Sequence, residues 1–201
     1  MVKIAVIIGS TRQGRFSEKP ARWIFDELKK RKGVEVELLD LRDYRIPFYD
    51  QPASPAWVQG PFGDDTTQAW TKKIGEADGF IIVAPEYNRG YSAELKNAID
   101  HVYGEWNNKP VAFVSYGGVG GGRAVEQLRL VAIELQMAPI RQGVHIFFDA
   151  YMAMVKDPVP VDPAKFASVQ QSADTMLDQL IWWTNALKSA REKTAVEKAA
   201  A

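Results

Sequence analysis

The chain contains no cysteine. That absence removes disulfides, thiolate nucleophiles, thiolate-held iron–sulfur clusters and zinc ribbons together. Histidine is scarce: His101 and His145 are the two present, and neither stands at ligand spacing from another metal-binding side chain. No metal site is expected. A net charge of either sign is also lacking, because 25 Lys and Arg balance 25 Asp and Glu. Nucleic-acid and membrane-surface binders are normally basic, so neither kind of partner is expected. No apolar run approaches the roughly 18 residues of a membrane-spanning helix. The apolar part of the opening MVKIAVIIGS is too short for a secretory signal and reads as a strand, so a cytoplasmic protein is expected.

What is present is alternation. Runs at 3–8, 34–40, 79–84 and 110–116, with a fifth inside 139–148, read as strands, those at 3–8 and 79–84 apolar and buried. Helical patterns separate them. Ala21, Ile24, Phe25 and Leu28 form one face, 66–77 a second helix, and Leu95, Ala98, Ile99 and Val102 a third. Two further helices are expected at 123–136 and 164–191. Strand followed by helix, five times, predicts a parallel sheet covered on both faces. The expected fold is a flavodoxin-like three-layer α/β/α sandwich with five parallel strands in the order 2-1-3-4-5. One domain spans 1–191, and 192–201 reads as frayed helix or disorder. A proline- and glycine-rich loop at 41–64 is long for a compact domain, and such loops are often functional.

In this strand order the loops after strands 1, 3 and 4 meet at the carboxyl edge, where α/β sheets bind ligands. The first is GSTRQGRFS, leading into a helix. Its hydroxyls and arginines, with the free N–H groups of the helix start, suit a phosphate; alone, it also fits a Gly/Ser turn with solvated arginines. It misses the nucleotide-triphosphate P-loop, because Arg15 and Phe16 stand where Lys and Ser/Thr are needed. The third loop, SYGGVGGGRA, lets backbone pass close to something flat; it follows strand 4, so the dinucleotide fingerprint does not apply. Between them lies PEYN, with a ring at Tyr87 and an amide at Asn88. Ser92 reads as the following helix's N-cap, although Leu95 leaves the capping box incomplete. A terminal phosphate, a polar chain and a planar ring with hydrogen-bonding edges would use all three loops, and FMN has these parts.

PEYN followed by LKNAID, the GS-x-R loop, IPFYD at 46–50 and the glycine run ending in Arg123 resemble the NADPH-dependent FMN reductase family over about 3–144. The family includes quinone, chromate and azo-dye reductases. The resemblance implies non-covalent FMN, hydride from NADPH or NADH, and homodimers or homotetramers. It implies phosphate contacts from Ser10, Arg12 and Ser17, and ring contacts from Pro85, Glu86, Tyr87, Asn88, Gly117 and Gly118. Arg15, Phe16 and Ser115 complete the candidate cofactor-binding set. Arg15 and Ser17 depart from the Ser and Asn that many relatives carry nearby, and Ser92 stands where many have proline.

Hydride transfer between stacked rings needs no protein acid or base, so no catalytic residue is nominated. The partner is a small electron acceptor such as a quinone, azo dye, chromate or free flavin. The alternatives are a flavodoxin-type electron carrier, usually strongly acidic, and a fold relative that has lost flavin and regulates. His101 reads as an exposed helix residue and Trp106 as an interface residue. With Trp57 and Trp70, the aromatic surface around 92–106 suggests a two-fold dimer with flavin near the interface.

Overall fold

Four seven-residue runs make most of the sheet, the second of them at its edge: β1 (Val2–Ile8), β2 (Val34–Asp40), β3 (Gly79–Pro85) and β4 (Pro110–Tyr116). The computed structural model describes residues 1–58 and 63–200; residues 59–62 of the expected long loop lie outside the described residues. Strand pairings are parallel, in the order β2-β1-β3-β4 with the fifth strand beside β4, which is the expected 2-1-3-4-5 arrangement.

Period-two alternation divides each strand between two apolar layers. Ile4, Val6, Ile8, Ile81, Val83 and Val114 face α1 (Glu18–Lys29) and the last helix. Ala5, Ile7, Phe80, Ile82 and Phe113 face α2 (Asp65–Glu76), α3 (Ala93–Asp100) and α4 (Gly122–Glu134). Burying each large aliphatic or aromatic side chain contributes about 1.5–3 kcal/mol before chain entropy is subtracted.

The fifth strand differs from expectation. It is split into β5 (Ala138–Pro139) and β6 (Val144–Ile146), both paired with β4. Between them the Arg129 guanidinium takes the carbonyls of Ile140 (2.8 Å) and Arg141 (3.0 Å), and Gln142 N–H goes to the Gln179 side chain. Those backbone groups are thereby withdrawn from the ladder. A short helix the sequence reading did not anticipate, α5 (Phe148–Met154), follows.

The last helix, α6 (Ala167–Ala200), packs across β1, β4 and β6 and continues through the segment expected to fray or be disordered. Its anchor is Asp78, which accepts from Lys188 Nζ (2.8 Å), Arg191 Nη2 (2.8 Å) and the Lys3 backbone N–H (3.0 Å). Burial alone would raise the Asp78 carboxyl; these bonds and the Lys188 and Arg191 charges outweigh it and hold it below its ordinary value.

Three aromatic expectations need correcting. His101 is 4% exposed, with Nδ1 against the Asn97 carbonyl at 2.8 Å and its ring against Tyr49. Trp70 and Trp106 are buried core residues rather than interface surface; Trp70 Nε1 donates to the Ala98 carbonyl at 2.8 Å. Trp57 is exposed.

Candidate cofactor site

The three loops meet because short contacts tie them together. Gly9 N–H donates to the Val83 carbonyl at 2.9 Å, and a β-carbon at Gly9 would stand 2.8 Å from that same oxygen. Only glycine lets β1 turn this close over β3. Ser92 caps α3, as its motif suggested: its Oγ accepts from Leu95 N–H at 3.2 Å and donates to the Gly9 carbonyl at 2.5 Å. Ser10 Oγ and the Tyr87 hydroxyl are hydrogen-bonded at 2.9 Å, either one able to donate, and the Arg12 guanidinium lies 5.5 Å from the Tyr87 ring centroid.

At the start of α1 the candidate residues divide. Ser17 sits at the N-cap but makes no capping bond, and its buried Oγ has no partner. Beside it, the Tyr116 hydroxyl is also buried and makes no hydrogen bond of good geometry. It faces the Ser17 hydroxyl and backbone N–H, with Tyr87 and Arg12 nearby; burial outweighs the downward pull of the Ser17 groups on its pKa. Burial drives the Tyr116 phenol pKa well above its ordinary value, so the hydroxyl keeps its proton as a donor. Phe16 is turned into the core, edge-on to Tyr116 (4.9 Å) and Tyr151 (4.8 Å). It sets the position of Tyr116 and does not reach outward.

Arg15 also turns inward. Its Nη1 donates to the Ser10 carbonyl (2.7 Å) and to Asp40 Oδ1 (2.6 Å), and its Nη2 pairs with Asp40 Oδ2 and with Glu18 (3.5 Å). Arg15 is therefore a strut between the loop and β2, its charge already answered by carboxylates, and not the phosphate donor expected. Asp40 shows the reciprocal effect. Burial pushes its carboxyl up, but Arg15 and the Arg42 backbone N–H outweigh that and hold it below the ordinary value.

Beyond β3, Pro85 is buried and Glu86 N–H donates to the Tyr116 carbonyl at 3.1 Å. The Glu86 carboxylate is committed to Arg123, receiving its backbone N–H (3.2 Å) and Nε (2.5 Å). It locks the loop to α4, and with the N–H given to Tyr116 the Glu86 carbonyl is what remains for a ligand. Tyr87 and Gly90 exchange both backbone bonds, and Asn88 and Arg89 hold positive φ values of 49° and 72°. This is a two-residue hairpin turn of type I′, natural for Asn and strained for Arg. Gln127 pins it through the Arg89 carbonyl (2.9 Å) and leaves Asn88 exposed.

After β4, Gly117, Gly120 and Gly121 have φ values of 152°, 69° and 77°, which favour glycine. Ser115 Oγ donates to the Gly120 carbonyl at 2.7 Å and meets His145 Nδ1 at 2.8 Å. Because the serine proton is used, His145 must carry its hydrogen on Nδ1. Burial lowers the His145 pKa; the Gly120 backbone opposes this and the Arg129 charge adds to it. Ser115 therefore holds the loop from below instead of facing a ligand. Gly118 borders open space.

The sequence reading missed Tyr116, hidden as the last residue of a core strand, and the struts Asp40, Arg123 and His145. No group of three or more His, Cys, Asp or Glu among the described residues could hold a metal ion. Among the described residues, no helix is long and apolar enough to cross a membrane.

Residues 2–150 match the family described as NADPH-dependent FMN reductase. An NAD(P)H-dependent FMN reductase of Schizosaccharomyces pombe is 40% identical over 158 residues, covering 78% of this chain and 79% of the relative. A 2-hydroxy-1,4-benzoquinone reductase of a Burkholderia species is 31% identical over 150 residues, covering 70% and 75%. Among solved structures, the flavoenzyme NAD(P)H:(acceptor) oxidoreductase of Paracoccus denitrificans superposes with a TM-score of 0.66 at 25% identity, covering 92% of this chain and 98% of that one. With the flavodoxin-like sheet, these matches make the chain a member of the NADPH-dependent FMN reductase family, an oxidoreductase family that works with FMN and a nicotinamide nucleotide.

Proposed function

We propose that the protein holds FMN across the three loops, accepts hydride from NAD(P)H and passes electrons to a small acceptor such as a quinone, azo dye, chromate or free flavin. The carrying observation is the pair of buried hydroxyls, Ser17 Oγ and Tyr116 OH, that face each other without a hydrogen bond of good geometry, beside Arg12 at a helix N-terminus. An unpaired buried hydroxyl costs about 1–3 kcal/mol. A phosphate would accept from both, and from Arg12, at the place where a helix's free N–H groups already favour an anion. Ser10 and Tyr87 close the cradle. The ring would then lie between Tyr87–Asn88 and the Gly117–Gly118 backbone.

FMN supplies the two-electron chemistry that this side-chain set lacks. The chain contributes orientation: Arg123 and Glu86 fix the angle between two loops, and His145 and Ser115 fix the third. N–H groups of the glycine loop are positioned to stabilise negative charge on a ring edge. Trp57, exposed on the surface, supports a homodimer or homotetramer. A monomer mass in light scattering at micromolar concentration would count against that assembly.

The purified protein should be yellow, or become so with FMN, and should bleach anaerobically with NADPH or NADH. If neither nicotinamide reduces the bound flavin, the reductase reading fails and the electron-carrier reading gains.

Two substitutions test the phosphate cradle. Charge-assisted bonds are worth roughly 1.5–3 kcal/mol each. Arg12→Ala should weaken FMN about tenfold or more and leave riboflavin, which lacks the phosphate, nearly unchanged. Tyr116→Phe should separate stability from binding. Without ligand it removes an unpaired hydroxyl, so the protein should be as stable or up to about 1 kcal/mol more stable, while FMN affinity falls several-fold. Equal losses for FMN and riboflavin in titration would remove Arg12 and Tyr116 from the phosphate.

A further inference from the structure

A second cleft, of about 580 Å³, opens beside the phosphate loop. Its walls include Thr11, Arg42, Tyr44, Arg45, Phe48 and Asn97, from the loop after β1, the segment after β2 and the first half of α3. The volume lies in the range of small-molecule sites. We propose that this cleft takes the adenosine 2′-phosphate end of NADPH, with Arg45 and Arg42 as the 2′-phosphate donors. The inference rests on the reading that a nicotinamide nucleotide is the hydride donor, and adds the choice between the two such nucleotides.

Charge carries the argument. Arg42 donates from Nε to the Thr11 carbonyl (3.2 Å) and from Nη2 to the Arg12 carbonyl (2.6 Å), both neutral acceptors. Arg45 is exposed, and neither it, Arg42 nor Arg12 forms an ion pair among the described residues. The cleft lining therefore holds two guanidiniums outside any ion pair, Arg42 and Arg45, of which Arg42 also feels the charge of Asp40. The carboxylate in the lining, Glu94, accepts the Thr11 hydroxyl proton at 3.0 Å, and nearby Asp40 is held by Arg15. A guanidinium fork matches a phosphate, and arginine beside a ribose is the general device for a 2′-phosphate, as an acidic residue is for a 2′-hydroxyl.

The aromatic content agrees. Phe48 is 82% exposed at the cleft, a ring that no core contact explains, and Tyr44 stands half-buried beside it. Together they offer ring faces to a purine. Thr11 belongs to both this cleft and the phosphate loop, so the adenosine end of a dinucleotide seated here lies beside the FMN phosphate, and its nicotinamide end must extend along the loop to reach the ring.

The test is calorimetric titration of the FMN-loaded protein at low salt with adenosine 2′,5′-bisphosphate and adenosine 5′-monophosphate. Arg45 is the residue to change, because Arg42 also holds the phosphate loop in shape. Wild type should bind the bisphosphate at least about tenfold tighter, a preference that shrinks as salt rises. Arg45→Ala should bring the two ligands within about threefold, and Arg45→Glu should reverse the order. FMN affinity should stay unchanged in both variants. Equal affinities in wild type, or a preference that survives Arg45→Glu, overturns the proposal. A 2′-phosphate preference in a protein whose flavin no nicotinamide reduces would sink the reductase reading and leave this cleft standing. Equal reduction by NADPH and NADH with no preference would do the opposite.

Discussion

Gly121→Val should abolish useful FMN binding, with a loss of roughly a hundredfold or more, and lower stability by about 3 kcal/mol or more. Gly121 has φ of 77°, which a β-branched residue tolerates poorly. Its β-carbon would lie 2.6 Å from Ser115 Cβ and 2.8 Å from the Tyr116 backbone nitrogen. Both neighbours belong to the end of β4, an interior strand buried along its whole length, and cannot step aside. The loop must unroll instead, which breaks the Ser115–Gly120 bond and carries Arg123 away from Glu86. Gly122→Ala is the control. Nothing lies within 4 Å of its β-carbon, and it opens α4, so alanine should be neutral or slightly stabilising. Urea unfolding and flavin titration of both variants decide the matter; a stable, flavin-binding Gly121→Val would mean the loop has another accessible shape.

Arg15→Met should lower stability by about 2–3 kcal/mol near neutral pH, because it strands Asp40 beside the core. Breaking a fully buried pair costs about 3–5 kcal/mol, and Asp40 keeps some contact with water. The pH dependence separates charge from packing. Asp40 is held below its ordinary value in the folded protein, so its contribution is fully present above the unfolded carboxylate pKa and is lost as pH falls through the depressed value. In the variant the guanidinium is gone, and burial raises Asp40. The stability gap between wild type and variant should therefore be widest at pH 6–7, narrow through the carboxylate range and close only once pH falls below the depressed Asp40 value. A gap that stays constant down to pH 3 would assign Arg15's effect to packing and to the Ser10 carbonyl. Arg12→Ala, on an exposed side chain, should leave the ligand-free protein nearly as stable as wild type.

These two arginines mark where sequence reading stops. Arg12 and Arg15 stand three residues apart in one glycine loop and look interchangeable there. Their difference is set by Asp40, which β-pairing brings opposite Ile8, and no local pattern announces that register. β1, β3 and β4 were legible because continuous apolar runs buried on both faces have few other fates, and β2 because Val34 and Val36 alternate with Glu35 and Glu37; β2 and β4 have the bounds read from them. The fifth strand read as continuous because its interruption is made by a helix side chain, Arg129, and not by its own residues. His101 read as exposed because its cover comes from Tyr49, in a loop with no periodicity. α5 spans seven residues, too few to display a repeat. Tyr116 was concealed by its double role, with its ring in the core and its hydroxyl at the site.

Protein synthesis gives the position of α6 a further meaning. The layer of Ile4, Val6, Ile81 and Val114 is covered by Met176, Leu177 and Leu180, which leave the ribosome well after the strands they cover. At about 5–20 residues per second, the sheet waits several seconds with that face open. The growing chain then exposes β-branched strands that favour pairing with neighbouring nascent chains, and holding chaperones have a defined window in which to act. Closure is completed when Lys188 and Arg191 reach Asp78 at the foot of the sheet. Truncation before Met176 leaves a chain whose site loops are all synthesised but whose supporting layer is never sealed, so its defect is in yield of folded protein before it is in chemistry.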